Sequence, residues 1–82
     1  MSKEEIIKFL EDNDCVVVEK EPNKLYVEKS GCVWLEVLIE EDSTTCDWGD
    51  GTVDGSYGLR FKEGWEVEMH LHEYVRGDLN HA

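Results

Sequence analysis

Acidic side chains are the most frequent chemically active groups in this sequence. The chain has 20 Asp and Glu against 8 Lys and Arg, which gives a formal net charge of −12. Carboxylates can transfer protons, bind metal ions or present negative charge to a cationic partner. The first two uses need a recognisable spacing or a partner residue, and no nucleophile, base or cofactor motif stands out here. We therefore expect a protein that is not an enzyme and uses no cofactor.

The net charge also restricts the class of ligand. Binding to nucleic acid requires Lys and Arg that neutralise phosphates, and so does binding to an anionic membrane surface. We expect neither, and we expect cationic partners instead. The acids are unevenly placed: residues 1–29 have five Lys and eight acids, a net charge of −3, while residues 30–82 have three bases and twelve acids, a net charge of −9.

Metal binding is a second chemistry that the residue types suggest. The glycine-rich segment 46–55 contains aspartates at positions 47, 50 and 54, although their spacing is not that of an EF-hand loop. His70 and His72 would share one face if they lay on a strand, an arrangement that zinc sites use. Cys46 is a possible further ligand. A calcium- or zinc-binding domain therefore remains an alternative, although we assign no metal ligand.

The hydrophobic pattern predicts one helix followed by strands. Residues 2–12 begin with a capping box, Ser2 and Glu5, and have apolar residues at helical spacing. Alternating or β-branched stretches predict strands at residues 15–20, 25–29, 32–41, 59–62 and 65–74. The intervening residues 42–58, with four of the seven glycines, are typical of a long loop.

These elements predict a single domain, residues 1–82, with an α+β fold in which an N-terminal helix packs on one face of a four- to five-stranded antiparallel sheet. The stretch 65–74 is central to this prediction because its alternation separates an apolar face from an acidic one. The expected covered face contains Ile6, Phe9, Leu10, Val33, Leu35, Val37, Ile39, Trp65, Val67, Met69 and Leu71. The expected open face contains Trp34, Glu36, Leu38, Glu40, Glu66, Glu68, His70, His72 and Tyr74.

Aromatic residues among the acids of the open face indicate a protein interface. We expect a small acidic inhibitor that binds the basic surface of a nucleic-acid-binding protein or nuclease. Nucleic-acid mimics of this kind occur among phage anti-defence and anti-CRISPR proteins and among nuclease immunity proteins. A structural subunit whose acidic face is only solvated is another alternative. The predicted partner-binding residues are Trp34, Glu36, Glu40, Asp47, Trp48, Asp50, Asp54, Tyr57, Glu66 and Glu68.

The three cysteines, Cys15, Cys32 and Cys46, have no paired spacing, which disfavours a disulfide framework. No apolar run approaches the ~20 residues of a membrane span. The first residues lack the layout of a signal peptide. We therefore expect a cytoplasmic protein, in the host cytoplasm if it is viral, that is a monomer or a weak homodimer.

Overall fold

The computed structural model describes residues 1–49 and 56–79, which form two helices and five strands. The strands form one antiparallel sheet in the order β1-β2-β3-β4-β5. The predicted α+β class is confirmed, with an additional helix at the C-terminal side. The elements are α1 (Lys3–Asp12), β1 (Val16–Glu21), β2 (Lys24–Glu28), β3 (Trp34–Ile39), β4 (Thr44–Gly49), β5 (Ser56–Phe61) and α2 (Gly64–Val75).

Helix α1 begins at the predicted capping box. The backbone N–H of Glu5 donates to the Ser2 hydroxyl at 3.2 Å, and the Glu5 carboxylate accepts from the Ser2 N–H at 2.8 Å. These hydrogen bonds to Ser2 lower the pKa of Glu5. Ile6 and Leu10 lie on the inner side of the helix and are fully buried. Such spacing buries one stripe of a helix against a sheet.

Both helices cover the same face of the sheet. The inward-pointing residues of the central strands meet the buried residues of α1 and α2 in one core. The helices also touch each other, because the rings of Phe9 and His72 have centroids 4.7 Å apart. The fully buried or nearly buried members of this core include Leu25, Val27, Leu35, Val37, Cys46 and Trp48 from the sheet, and Ile6, Leu10, Val67, Leu71 and Tyr74 from the helices.

The prediction of a strand at residues 65–74 is wrong, because residues 64–75 form helix α2. Val67 and Leu71 are buried, but Trp65 and Met69 are 62% and 56% exposed, so the four lie on different sides of the helix. Val67, Leu71 and Tyr74 recur at intervals of four and three, which is helical spacing. Over this short segment, the two-residue alternation that is typical of a strand coincides with the spacing of a helix.

A second difference concerns the segment predicted as a loop at residues 42–58. Thr44–Gly49 forms β4, which pairs with β3 and β5 over six residue pairs on each side. Cys46 and Trp48 alternate with Thr45 and Asp47, so two apolar side chains enter the core. The Asp and Gly residues of this segment are typical of turns, whereas burial of Cys46 and Trp48 favours a strand. Across the described ranges, no helix has the length and apolar character of a membrane span.

We expect Leu71→Ala to lower the free energy of unfolding by about 2–5 kcal/mol, because it leaves a cavity in the core. Met69→Ala changes a side chain that is more than half exposed, so we expect a change within about 0.5 kcal/mol. Equilibrium unfolding in urea measures both values. Equal losses for the two variants would contradict the helix, since only a strand would place both side chains on the covered face.

Candidate protein-binding site

The open face of the sheet, opposite the helices, brings together three of the predicted partner-binding residues. Glu36 on β3 and Asp47 on β4 are direct register partners, and Trp34 lies two residues from Glu36 on the same strand. Trp34, Glu36 and Asp47 are partly exposed, and Glu40 follows the end of β3 and is exposed. The structure therefore groups these side chains on one face or at its end, as the alternation of β3 predicts.

This open face does not, however, concentrate negative charge. The Nζ atoms of Lys20 and Lys24 lie 3.7 and 3.8 Å from the carboxylate oxygens of Glu36. Lys20 also lies 4.4 Å from the centroid of the Tyr26 ring. Arg60 belongs to the same face, because its register partner is Thr45. The prediction that this sheet face is acidic is therefore wrong, because bases from β1, β2 and β5 offset its acids.

Other predicted residues lie away from the open face. Trp48 is only 6% exposed and belongs to the core, where it stacks on Tyr57 with ring centroids 6.0 Å apart. Glu66 and Glu68 lie on α2, on the opposite side of the sheet from Glu36. Tyr74, which the alternation placed outward, is fully buried. Asp50 and Asp54 lie outside the described residues.

The two histidines of α2 do not share a face either. His70 is buried, whereas the side chain of His72 is half-exposed and lies 4.0 Å from the Glu68 carboxylate. Two residues apart on a helix means a rotation of about 200°, so the arrangement expected on a strand is lost. Within residues 1–49 and 56–79, no three His, Cys, Asp or Glu side chains are grouped as a metal site would require.

A different surface gathers exposed apolar side chains, and we call it the α2–β5 groove. Leu59, Trp65 and Met69, which line it, are each about half or more exposed, at 49%, 62% and 56%. Grouped apolar side chains that remain exposed are typical of interaction sites. The groove has a volume of about 240 Å³ and is lined by Leu59, Phe61, Trp65, Glu66, Met69, His70 and Glu73.

The groove exists because α2 covers the edge of the sheet only in part. Tyr57, Leu59 and Phe61 point to the covered face, since their register partners are Trp48, Cys46 and Thr44. In the central strands such residues are buried, but Leu59 on β5 stays half-exposed because no described strand lies beyond β5. On α2, Trp65 and Met69 are four residues apart and so project from the same side of the helix.

The inner wall of the groove contains a buried polar atom. His70 is 5% exposed, and its ring lies 4.8 Å from that of Trp48 and 5.1 Å from that of Phe61, measured between centroids. Its Nε2 atom has no hydrogen-bond partner among the described residues. Burial lowers the pKa of His70, and the nearby Glu73 opposes this effect in part. The ring is thus neutral at neutral pH, and its Nε2 atom is buried without a described hydrogen-bond partner.

Acidic residues surround the groove. Glu66 and Glu73 belong to its lining. A neighbouring cleft of about 190 Å³ begins at Phe61, which lines both, and contains acids of the β3–β4 turn and of the turn before α2. The charged side chains of this cleft are those of Glu40, Glu41, Asp42, Glu63 and Lys62. Met1, which has the terminal amino group, also lines the cleft. The groove and the cleft share Phe61, and together they contain more acids than bases.

Comparisons with known proteins identify no similar family model, curated protein or solved structure. The candidate site is therefore defined by its geometry. The predicted partner-binding residues include Glu66 and Tyr57 near this surface but not Leu59, Trp65, Met69 or Glu73. The available signal was the pair Trp65 and Met69, because an exposed apolar pair four residues apart is informative once the segment is read as a helix.

As the pH falls from about 7.5 to about 5.5, we expect the free energy of unfolding to decrease less for His70→Phe than for the wild type. The pKa of His70 lies below its ordinary value of 6.5 in the folded protein, so below that value the unfolded chain takes up a proton that the fold excludes. The stability that the neutral His70 ring contributes is present above pH 6.5 and is lost as the pH falls. The loss is at most about 1.4 kcal/mol per pH unit. Phe cannot be protonated and so lacks this dependence.

Urea unfolding of the wild type and the variant at both pH values measures the difference. His72→Ala is the matched control, because it removes a half-exposed imidazole from the same helix. This control shows whether the loss of another ring from helix α2 by itself changes the pH dependence. An identical pH dependence in wild type and His70→Phe would show that the ring is protonated as easily in the fold as in the unfolded chain.

Proposed function

We propose that this protein is a non-enzymatic binding protein that inhibits a nucleic-acid-handling protein by covering its basic surface. The α2–β5 groove and the acids around it are the proposed contact surface. The observation that carries this proposal is that exposed Trp65 and Met69 lie in one groove with Glu66 and Glu73. Apolar anchors surrounded by charge are typical of interfaces that bind a partner of opposite charge.

The two kinds of side chain have separate roles in this proposal. The net charge of −12 attracts a cationic partner over long range and raises the association rate. Trp65 and Met69 then lose their remaining exposed surface on contact, which slows dissociation. An aromatic residue at the centre of an interface often contributes 2 kcal/mol or more, on the order of a thirtyfold change in affinity.

The acidity of the whole molecule favours a partner that normally binds nucleic acid. Such proteins have strongly basic surfaces, because they neutralise phosphates with Lys and Arg. An acidic protein on that surface would exclude the nucleic acid by charge and by volume. The proposed class is therefore that of nucleic-acid mimics, to which anti-CRISPR proteins and nuclease immunity proteins belong, and the groove replaces the sheet face as the contact surface.

We expect the protein to bind at least one member of a panel of purified nucleases and DNA-binding proteins with basic surfaces. Binding should weaken steeply as salt rises and should compete with duplex DNA, because both ligands use the same cationic side chains. Fluorescence anisotropy at several salt concentrations, with and without DNA, measures both effects. A partner that binds DNA and this protein simultaneously would exclude the mimic mechanism.

The same assay locates the contact surface. We expect Trp65→Ala to weaken binding about tenfold or more, because it removes the exposed anchor of the groove. Trp34→Ala is the matched control, since it removes a Trp from the open sheet face without changing charge, and it should leave affinity within about twofold. The reverse result would assign the contact to the open face and not to the groove.

A further inference from the structure

We infer that the α2–β5 groove receives an extended basic segment of the partner, which pairs with the outer edge of β5 as an additional strand. This inference rests on the proposed function and specifies how the partner is held. Three observations carry it: the regularity of the β5 edge, the apolar side chains that α2 extends beside that edge, and the charge around them. Addition of a strand to a sheet edge is a known mode of peptide recognition.

The two edges of the sheet differ in how well they can accept a strand. In the described part of the chain, β1 and β5 are the edge strands. The β1 edge is interrupted, because its register shifts between Glu19 and Glu21 and Lys20 lies in the irregularity. Such irregularities and lysines are devices that prevent edge pairing. β5 pairs with β4 through six consecutive residue pairs without a shift, so its ladder is regular, as a template for a further strand must be.

Helix α2 provides apolar contacts for one face of an added strand. Trp65 and Met69 line the groove beside β5, and Leu59 points to the same side from β5 itself. Alternate side chains on a strand are about 6.6–7 Å apart, close to the about 6 Å rise between two residues four apart on a helix. An extended segment with apolar residues at every second position therefore matches the spacing of Trp65 and Met69.

Charge selects between the possible occupants. A second copy of this chain pairing through β5 would bring two molecules of net charge −12 together, with Glu66 and Glu73 of each near the contact. A segment whose remaining positions are Lys or Arg instead gains favourable interactions with these carboxylates. The observations therefore favour a basic, alternating segment.

The probe is a synthetic peptide, Lys-Val-Lys-Val-Lys-Val-Lys-Val-Lys, acetylated and amidated at its ends. We expect it to bind and to slow amide hydrogen exchange in β5 about tenfold or more at alternate residues, measured by NMR. A block peptide of the same composition, Lys-Lys-Lys-Lys-Lys-Val-Val-Val-Val, tests for attraction by charge alone. Two further peptides have N-methyl groups at alternate residues. In one peptide the methyl groups lie along one edge of the peptide strand, and in the other they lie along the opposite edge.

With the peptide antiparallel to β5 and its Val side chains toward α2, only one edge of the peptide faces β5, so one N-methylated peptide should lose binding and the other should retain it. Among variants of the protein, Met69→Lys should weaken binding about tenfold or more. Val16→Lys makes the same chemical change at an exposed position on the open face, and should weaken binding by about twofold at most. These results together would establish strand addition in the groove.

Other outcomes would overturn the inference. Equal binding of the block peptide, or of both N-methylated peptides, would show attraction without strand pairing. Slowed exchange in β5 that rises with protein concentration in the absence of peptide would identify a second copy as the occupant. Failure of every peptide while a basic protein binds in a Trp65-dependent manner would remove the strand but keep the proposed function. If no basic protein binds, the proposed function fails independently of the peptide result.

Discussion

Burial of Val67, Leu71 and Tyr74 against one face of the sheet is the interaction on which the candidate site depends. Each residue turns a helix by about 100°, so these three contacts fix the rotation of α2 about its axis. Once they face the core, Trp65 and Met69 must project away from it. The same packing that stabilises the fold therefore exposes the side chains that we assign to partner binding.

Both ends of α2 are held in place, which keeps this orientation fixed. At the start, the Glu66 carboxylate accepts a hydrogen bond from the Glu63 N–H at 3.3 Å. At the end, the Tyr74 hydroxyl donates to the Val33 carbonyl at 2.6 Å, and burial raises the pKa of Tyr74 so that the donor proton is retained. Gly77, at a φ of +82°, then reverses the chain in the left-handed region. A well-anchored helix gives the groove a fixed shape before any partner arrives.

The sequence predicts the parts of this fold that depend on local, unambiguous signals. The capping box of Ser2 and Glu5 begins α1, and the pattern of β3 separates Leu35 and Val37 from Glu36. The signals fail where two physical preferences compete over a short segment. Residues 65–74 satisfy alternation and helical spacing at once, and only the available sheet surface decides between them. Tertiary burial of Trp48 likewise outweighs the turn preference of the neighbouring Asp and Gly residues.

The candidate site could be predicted only in part, for the same reason. Composition indicates a cationic partner, but the position of the acids depends on whether Glu66 lies on a strand or on a helix. The carboxylate of Glu36 is a further example, because Lys20 and Lys24 approach it only after β1 and β2 have paired.

These long-range contacts leave the open face electrically mixed, whereas Glu66 and Glu73 of α2 line the groove. The partner that the composition suggests is thus best matched by a surface that appears only when α2 packs beside an edge strand. That placement joins an edge strand with a regular ladder, apolar anchors and negative charge, and none of the three would define a binding site alone.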